Sequence, residues 1–517
     1  VSYFMKEIQE RPGICVSVCV QRARDLLQAV ERAAELADII ELRLDCLAGA
    51  EFASALDSLN SLTSSTSQPF ILTLRPAEQG GQREIDTLNR IAFWLDRLGT
   101  EQAGLELADI EFDVARVLME KEGLDWNHVI CSHHDFTGRA SGLEQLYQEL
   151  TKTPARIIKI AVRVSDATDC LSIFKLLERA RSQGQEIIAL AMGNAGIATR
   201  ILGPSRGAFL TYAALDEANA TAPGQLTAEE LRSVYRVHKI TVETAIVGLV
   251  GAPVSHSISP QTHNAAFEET GTDAVYIPFE VHDVENFLRR MAHPRSREID
   301  WKLRGLSVTA PHKQSVMEHL DWIEPSAIEI GAVNTIIVEG EELHGYNTDA
   351  AGFLSPLERR LGGLKGQRVA IIGAGGAARS CLWGLVRAGA LATVFARDME
   401  KAARLGEEFD ARTGKLDGAL FHDFDIVVNA TPLGTRGTSE RETPAVAEQL
   451  RGASLVYDLV YNPQETRFLL EAKEAGCETL AGLEMLIAQA AEQFKLWTGR
   501  DAPVEVMRKA AKRALEK

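Results

Sequence analysis

Between Ile14 and His238, short apolar runs alternate with amphipathic helical patterns, and this rhythm constrains the fold more than any other feature of the chain. The runs are Ile14–Val20, Ile39–Leu44, Phe70–Arg75, Leu105–Ala108, Val129–His133, Arg156–Val162, Ile187–Met192 and Ala208–Tyr212. Between them lie Ala23–Leu36, Ile85–Leu98, Leu143–Leu150 and Ala167–Ser182, whose apolar residues recur at helical spacing. A strand–helix alternation of this count, over a segment near the usual ~250 residues, predicts a closed (β/α)8 TIM barrel. An open doubly wound sheet is the competing arrangement.

A closed barrel gathers its working side chains at the C-terminal ends of the strands. Polar residues stand there: Glu41 and Arg43 end the second run, Arg75 the third, and His133, His134 and Asp135 the fifth. Lys159 lies inside the sixth, between Ile158 and Ile160, and a lysine is almost never fully buried without a reason. If it faces inward, its desolvated amine near arginines becomes a nucleophile able to form a Schiff base with a ketone. A histidine within reach would serve as general acid and base. Cys131, His133 and His134 suggest a metal only until alternation is considered, which splits 131 and 133 from 134; no metal is expected.

In the second half, the apolar run Val369–Ile372 enters the turn Gly373-Ala374-Gly375-Gly376-Ala377-Ala378-Arg379 and leaves through an alanine-rich helical pattern. This is the strand–turn–helix of a Rossmann domain, with a pyrophosphate placed on the helix N-terminus. The next strand ends in Arg397, about twenty residues on, where the adenosine ribose would lie. From Thr244 to about Leu361 a looser alternation predicts an α/β substrate domain with strands at Ala245–Leu249, Val275–Phe279, Gly305–Thr309 and Asn334–Val338. Lys313 and Asp349, at the mouth of a domain facing a nicotinamide, fit proton transfer to an alkoxide. The expected division is a barrel over 1–238, a substrate domain over 239–361, a Rossmann domain over 362–482 and C-terminal helices over 483–517 packing back on the substrate domain.

A chain of 517 residues is too long for one core, which agrees with several domains. A net charge of -17 argues against nucleic acid as a partner, so any anion site must be built from local arginines and lysines. Seven cysteines without a Cys-x-x-Cys read as reduced thiols of a cytoplasmic protein. No apolar run is long enough to span a bilayer, and a plastid location stays open should a transit peptide precede Val1. Small molecules are the expected partners, and oligomeric state is open.

Several motifs in the first half recur together in one family. They are Glu41-Leu42-Arg43-Leu44-Asp45, Arg75-Pro76-Ala77-Glu78-Gln79-Gly80-Gly81, Ser132-His133-His134-Asp135-Phe136, Ile158-Lys159-Ile160-Ala161-Val162 and Ala222-Pro223-Gly224-Gln225. Through them the segment from Ile14 to His238 resembles type I 3-dehydroquinate dehydratase. The resemblance implies that Lys159 is the Schiff-base lysine and His134, followed by Asp135-Phe136, the acid and base. It also implies that Ser17, Glu41, Arg43, Arg75, Arg200, Thr221 and Gln225 bind the substrate, with Arg200 on its carboxylate. One position departs: the family usually has a glutamate where Gln79 stands, orienting the catalytic histidine.

The second half carries His256-Ser257-Ile258-Ser259-Pro260, Val308-Thr309-Ala310-Pro311-His312-Lys313, Gly331-Ala332-Val333-Asn334-Thr335, Asn347-Thr348-Asp349, Asn429-Ala430-Thr431-Pro432 and Tyr461-Asn462-Pro463. It resembles shikimate dehydrogenase from Thr244 to the C-terminal helices. By that resemblance Lys313 and Asp349 are the catalytic pair, and Ser257, Ser259, Thr309, Asn334, Tyr461 and Gln489 bind the substrate. Gly373, Gly375, Gly376, Ala377, Arg397, Lys401 and Thr431 would hold NADP(H). Ser307 stands where many members have asparagine. Asp398 replaces a hydroxyl beside Arg397, and as the residue before a helical run it is expected to cap that helix and turn away from the ribose. Dehydratase followed by dehydrogenase implies a multifunctional lyase and oxidoreductase of the shikimate pathway, leading to chorismate and the aromatic amino acids. The alternatives are a quinate dehydrogenase in the second half and a non-catalytic metabolite sensor.

Overall fold

The computed structural model describes residues 13–98, 105–138, 142–437 and 439–516. The polar stretch 1–12 lies outside them. Eight parallel strands come first: β1 Gly13–Val18, β2 Ile39–Arg43, β3 Phe70–Thr73, β4 Leu105–Glu111, β5 Val129–Asp135, β6 Ile157–Arg163, β7 Glu186–Met192 and β8 Leu210–Ala214. Each pairs with its sequence neighbour from β1 to β7, and β8 pairs with β1. β7 and β8 meet through one parallel bridge, Ile187 with Ala208, beside which the Phe209 N–H donates to the Ile187 carbonyl at 2.7 Å. The sheet therefore closes as a barrel, and the open doubly wound alternative falls away.

The barrel interior explains where its chemistry can sit. A floor of Cys15, Ile39, Ile71, Leu107, Ile130, Ile157 and Leu210 packs together with no helix residue among them. Two residues farther along those same strands, on the same face, the floor gives way to Ser17, Glu41, Thr73, Asp109, Ser132, Lys159 and Tyr212, all buried. Most strands end one to three residues from the expected position, and two of these differences bear on the site. β3 stops at Thr73, so Arg75 belongs to the following loop, and β4 runs on past Ala108 to Glu111.

The second sheet contains β9 Ala245–Gly251, β10 Ala274–Glu280, β11 Leu303–Val308, β12 Trp322–Ile323, β13 Thr335–Glu339 and β14 Glu342–Tyr346, in the order β10-β9-β11-β13-β14-β12. β14 is polar and forms a hairpin with β13, which is why its pattern escapes a hydrophobic reading. The edge strand β10 is covered by the barrel helix Ile197–Leu202, so its unpaired side does not face solvent. Polar contacts fix the same seam. Asp166 Oδ2 accepts from the His282 N–H at 2.7 Å, and Arg206 Nη2 donates to the Asp300 carbonyl at 2.9 Å. After β8 the chain makes a wide helical turn over Glu230–Val234, and Arg236 at φ 50 follows it in the left-handed region.

The third sheet is wholly parallel: β15 Arg368–Ile372, β16 Leu391–Ala396, β17 Arg412–Lys415, β18 Ile426–Asn429, β19 Leu455–Asp458 and β20 Glu478–Leu480, in the order β17-β16-β15-β18-β19-β20. That order reverses between β15 and β18, where such folds place a dinucleotide. Helix Gly482–Thr498 lies against helix Asp349–Leu361, and helix Val504–Glu516 against helix Ser259–Glu269. The first contact is close because residue 352 is glycine; a Cβ there would come within 2.6 Å of the Gln489 Cβ.

The cysteine reading needs correction. Cys19 and Cys46 form a disulfide across 27 residues, because parallel pairing of β1 with β2 brings the ends of those strands together. The other five cysteines are free and buried. Among the described residues no helix is long and apolar enough to cross a membrane.

Candidate active sites

Ser17, Glu41, Arg43, Arg75, Gln79, His134, Lys159, Arg200, Thr221 and Gln225 line one cavity at the C-terminal end of the barrel. Lys159 faces inward, 4% exposed, so an edge lysine pointing to solvent is excluded. Its Nζ lies 2.6 Å from Asp109 Oδ2, 3.7 Å from Glu41 Oε1 and 4.0 Å from the centre of the Tyr212 ring. Burial alone would raise the Asp109 carboxyl, but Arg75 and Lys159 beside it hold it well below the usual carboxylate range. Burial, reinforced by Arg75 and Lys159, keeps the His134 imidazole far below its ordinary value, so it is neutral near pH 7. Its Nδ1 is buried with no hydrogen-bond partner.

Two expected ligands are engaged within the protein. Arg75 pairs with Asp109 at 2.7 Å and Glu111 at 2.8 Å, and its Nη1 also donates to Ser132 Oγ. Its guanidinium therefore organises the charges behind Lys159 while still lining the cavity. Arg43 makes a two-pronged bond to Asp45. Arg200 is the opposite case. It is 1% exposed, its Nε and Nη2 have no partner, and burial pulls its pKa down to about 10. An unpaired buried cation in a cavity wall is a ready receptor for a carboxylate. Gln79 Oε1 accepts from the His134 backbone N–H at 3.1 Å and makes no hydrogen bond to the ring.

Asp109 and Glu111 escape the sequence reading because the fourth strand is ended at Ala108. Continued alternation through Leu107, Asp109 and Glu111 would have turned both carboxylates inward.

The second cavity, about 420 Å³, opens between the second and third sheets. Ser257, Ser259, Thr309, Lys313, Asn334, Asp349, Tyr461 and Gln489 all line it. Lys313 Nζ lies 2.6 Å from Asp349 Oδ2, and Asn334 Nδ2 donates to Asp349 Oδ1 at 2.8 Å. Asp349 opens helix Asp349–Leu361, where the helix dipole favours its negative charge. Ser257 Oγ accepts from the Ser259 N–H at 3.2 Å. A further chain was not foreseen: Tyr276 donates to Ser307 at 2.8 Å, and Ser307 to Gln493 at 3.0 Å. Gln493 lies one helical turn beyond Gln489, and that spacing was the available signal.

A groove lined by Gly375, Gly376, Ala377, Arg379, Lys401 and Arg404 adjoins this cavity. Gly373, at φ +122, sits at the strand reversal, where a Cβ would press on Ala430 and Thr431. A Cβ at Gly375 or Gly376 would meet only open space, as a cradle for a pyrophosphate requires. These residues fit a dinucleotide. Asp398 caps the following helix by accepting from the Lys401 N–H at 3.1 Å, as expected, and Arg397 is exposed beyond the groove lining. Among the described residues no group of three or more His, Cys, Asp or Glu is placed to hold a metal ion.

Residues 14–242 match the type I 3-dehydroquinase family model. Residues 249–336 match the shikimate dehydrogenase substrate binding domain, 356–461 shikimate / quinate 5-dehydrogenase, and 482–512 the shikimate 5'-dehydrogenase C-terminal domain. A shikimate dehydrogenase (NADP(+)) of Methanopyrus kandleri is 42% identical over 52% of this chain and 96% of its own. A crystal structure of a shikimate dehydrogenase in complex with NADP+ superposes with a TM-score of 0.51 at 38% identity, over 54% of this chain and 98% of that one. The chloroplastic bifunctional 3-dehydroquinate dehydratase/shikimate dehydrogenase of Arabidopsis thaliana is 34% identical over 97% of this chain and 84% of its own length. The chain belongs to the bifunctional 3-dehydroquinate dehydratase/shikimate dehydrogenase family.

Proposed function

We propose that the barrel converts 3-dehydroquinate to 3-dehydroshikimate through a Schiff base on Lys159, and that the second cavity reduces 3-dehydroshikimate to shikimate. The observation that carries this reading is a lysine–carboxylate pair at 2.6 Å in each of two separate cavities, Lys159 with Asp109, both buried, and half-buried Lys313 with Asp349. In the barrel, neutral His134 is the base in place. The Lys159 amine, once deprotonated, attacks the substrate ketone and water leaves as the iminium forms. His134 removes the neighbouring proton, and the iminium takes up the electron pair. Protonated His134 returns its proton to the departing hydroxyl, and hydrolysis frees the product and Lys159. Arg200 holds the carboxylate throughout.

In the second cavity, Ser257, Ser259, Thr309, Asn334, Tyr461 and Gln489 orient the ring. Lys313 and Asp349 deliver a proton to the ketone oxygen as it becomes an alkoxide. NADPH, when bound, would supply the hydride, and the Gly373–Ala377 turn, Thr431, Arg397 and Lys401 would hold it. We place the protein in the cytoplasm or, as its chloroplastic Arabidopsis thaliana relative suggests, in a plastid. The test is to give the purified protein 3-dehydroquinate and NADPH and follow shikimate by chromatography. Formation of shikimate with matching NADPH oxidation is expected; a protein that forms neither 3-dehydroshikimate nor shikimate would overturn the reading.

A further inference from the structure

Helix Gly376–Arg387 begins at the glycine-rich turn, so its N-terminus forms one wall of the cofactor groove. Along one stripe of that helix, at i, i+4 and i+8, stand Arg379, Trp383 and Arg387. All three reach across to the end of helix Pro325–Ile330, which belongs to the other side of the cleft. Arg379 Nε donates to the Ile330 carbonyl at 2.7 Å, a cation on a C-terminal carbonyl. Trp383 Nε1 donates to Glu329 Oε2 at 2.9 Å, and Arg387 pairs with the same carboxylate. The Trp383 ring also packs on Ile330, Ala332 and Ala350, an apolar cluster separate from the main cores. Ala350 follows Asp349 directly, and Ala332 precedes Asn334 by two residues.

We propose that this stripe is a clasp that sets the width of the dehydrogenase cleft, with Trp383 its principal positioning residue. The exposed ion pair Arg387–Glu329 contributes little by itself in solvent. The ring contact is what fixes the distance. It seats the helix that opens the cofactor groove directly against the segment presenting Asn334 and Asp349. Trp383 lines neither the cavity nor the groove, so it acts only through position. The width matters because hydride and proton must reach one carbonyl group from two different walls, and a displacement near 1 Å costs up to roughly 100-fold in rate.

The inference rests on the NADPH-dependent reduction proposed above. Its test uses Trp383→Ala and Trp383→Phe in the full chain, with three readouts. Dehydrogenase kcat should fall about tenfold or more in Trp383→Ala, and Trp383→Phe, which keeps the ring, should restore most of it. The dissociation constant of NADP+ without substrate, measured by calorimetry, should change less than threefold in both. Amide hydrogen exchange over 325–333 and 376–387 should quicken in Trp383→Ala alone, with dehydratase activity unchanged. Exchange and kcat in Trp383→Ala equal to the parent's would overturn the clasp. So would an NADP+ affinity that falls in step with kcat, since that would make Trp383 part of the cofactor site. A parent protein that binds NADP+ but reduces nothing would instead overturn the function proposed above, and the exchange readout would still judge the clasp.

Discussion

The Lys159 amine and the Asp109 carboxylate, 2.6 Å apart and both nearly inaccessible, form one ion pair at the centre of the barrel. Arg75 secures it from behind, since it binds the same carboxylate oxygen and also Glu111. With Asp109 held far below the usual carboxylate range, its negative charge is present at any working pH. An iminium carries the same single charge as the ammonium it replaces, so Asp109 offsets the charge of Lys159 before and after the covalent step. Little reorganisation is needed at the moment of reaction. Replacing Asp109 with asparagine should lower dehydratase kcat/KM by about 100-fold, which is roughly 2.7 kcal/mol of lost stabilisation. Borohydride trapping of substrate on Lys159 should slow in parallel, while reduction of added 3-dehydroshikimate is unchanged. Unaltered trapping would show that Asp109 does not hold the amine.

Gln79 reaches the backbone of His134 and not its ring, which refines what a glutamate there would do. A carboxylate could keep the same hydrogen bond and add a negative charge near an imidazole that burial, Arg75 and Lys159 hold neutral. Negative charge favours the imidazolium, so the pKa of His134 rises in Gln79→Glu. The limb of the dehydratase pH profile that His134 governs should move to higher pH, with no effect on the dehydrogenase profile. A displacement to lower pH, or none, would mean the new carboxylate enters protonated or turns away.

Lys313 and Asp349 form the corresponding pair in the second cavity, and Asn334 fixes the other Asp349 oxygen. Lys313→Met keeps length and removes the proton source. Its dehydrogenase kcat should fall by about 100-fold, within the range positioned proton transfer contributes. NADP+ binding should persist, because the glycine cradle and Lys401 of the groove are left in place. Dehydratase turnover should stay at the parent level, which separates the two chemistries in one chain. Steady-state rates for each half-reaction check both points.

What the sequence reveals follows from periodicity. The barrel strands, the glycine-rich turn and Lys159 are visible because an apolar run makes any interruption conspicuous. Asp109 and Glu111 are hidden for the same reason: two acids in five residues look like the end of a strand unless their partners are known. Those partners, Arg75 and Arg90, arrive from other parts of the chain. The Cys19–Cys46 bond is likewise a product of β1–β2 pairing. Trp383 reads as an ordinary amphipathic helix residue until the helix it faces is in place.

Arg200 makes the sharpest prediction, because the structure gives it a function and a cost together. Two of its nitrogens are buried without partners, and burial lowers its pKa from the ordinary guanidinium value to about 10. A cation whose folded pKa lies below its unfolded one destabilises the fold at all pH values below the folded pKa, and that penalty fades only as pH rises above about 10 toward the ordinary guanidinium value. At pH 7 the penalty is therefore fully present, on the order of 3 kcal/mol. Replacing Arg200 with methionine, an apolar side chain of similar reach, should raise the unfolding free energy and the Tm, while dehydratase KM climbs steeply for want of a carboxylate partner. The parent should recover the difference when a carboxylate ligand such as 3-dehydroshikimate fills the barrel cavity, and Arg200→Met should not respond to it there. Thermal unfolding of both proteins, with and without ligand, checks this, because ligand held in the second cavity contributes equally to each. A variant less stable than the parent would show that Arg200 has a structural partner and is not held in reserve for substrate.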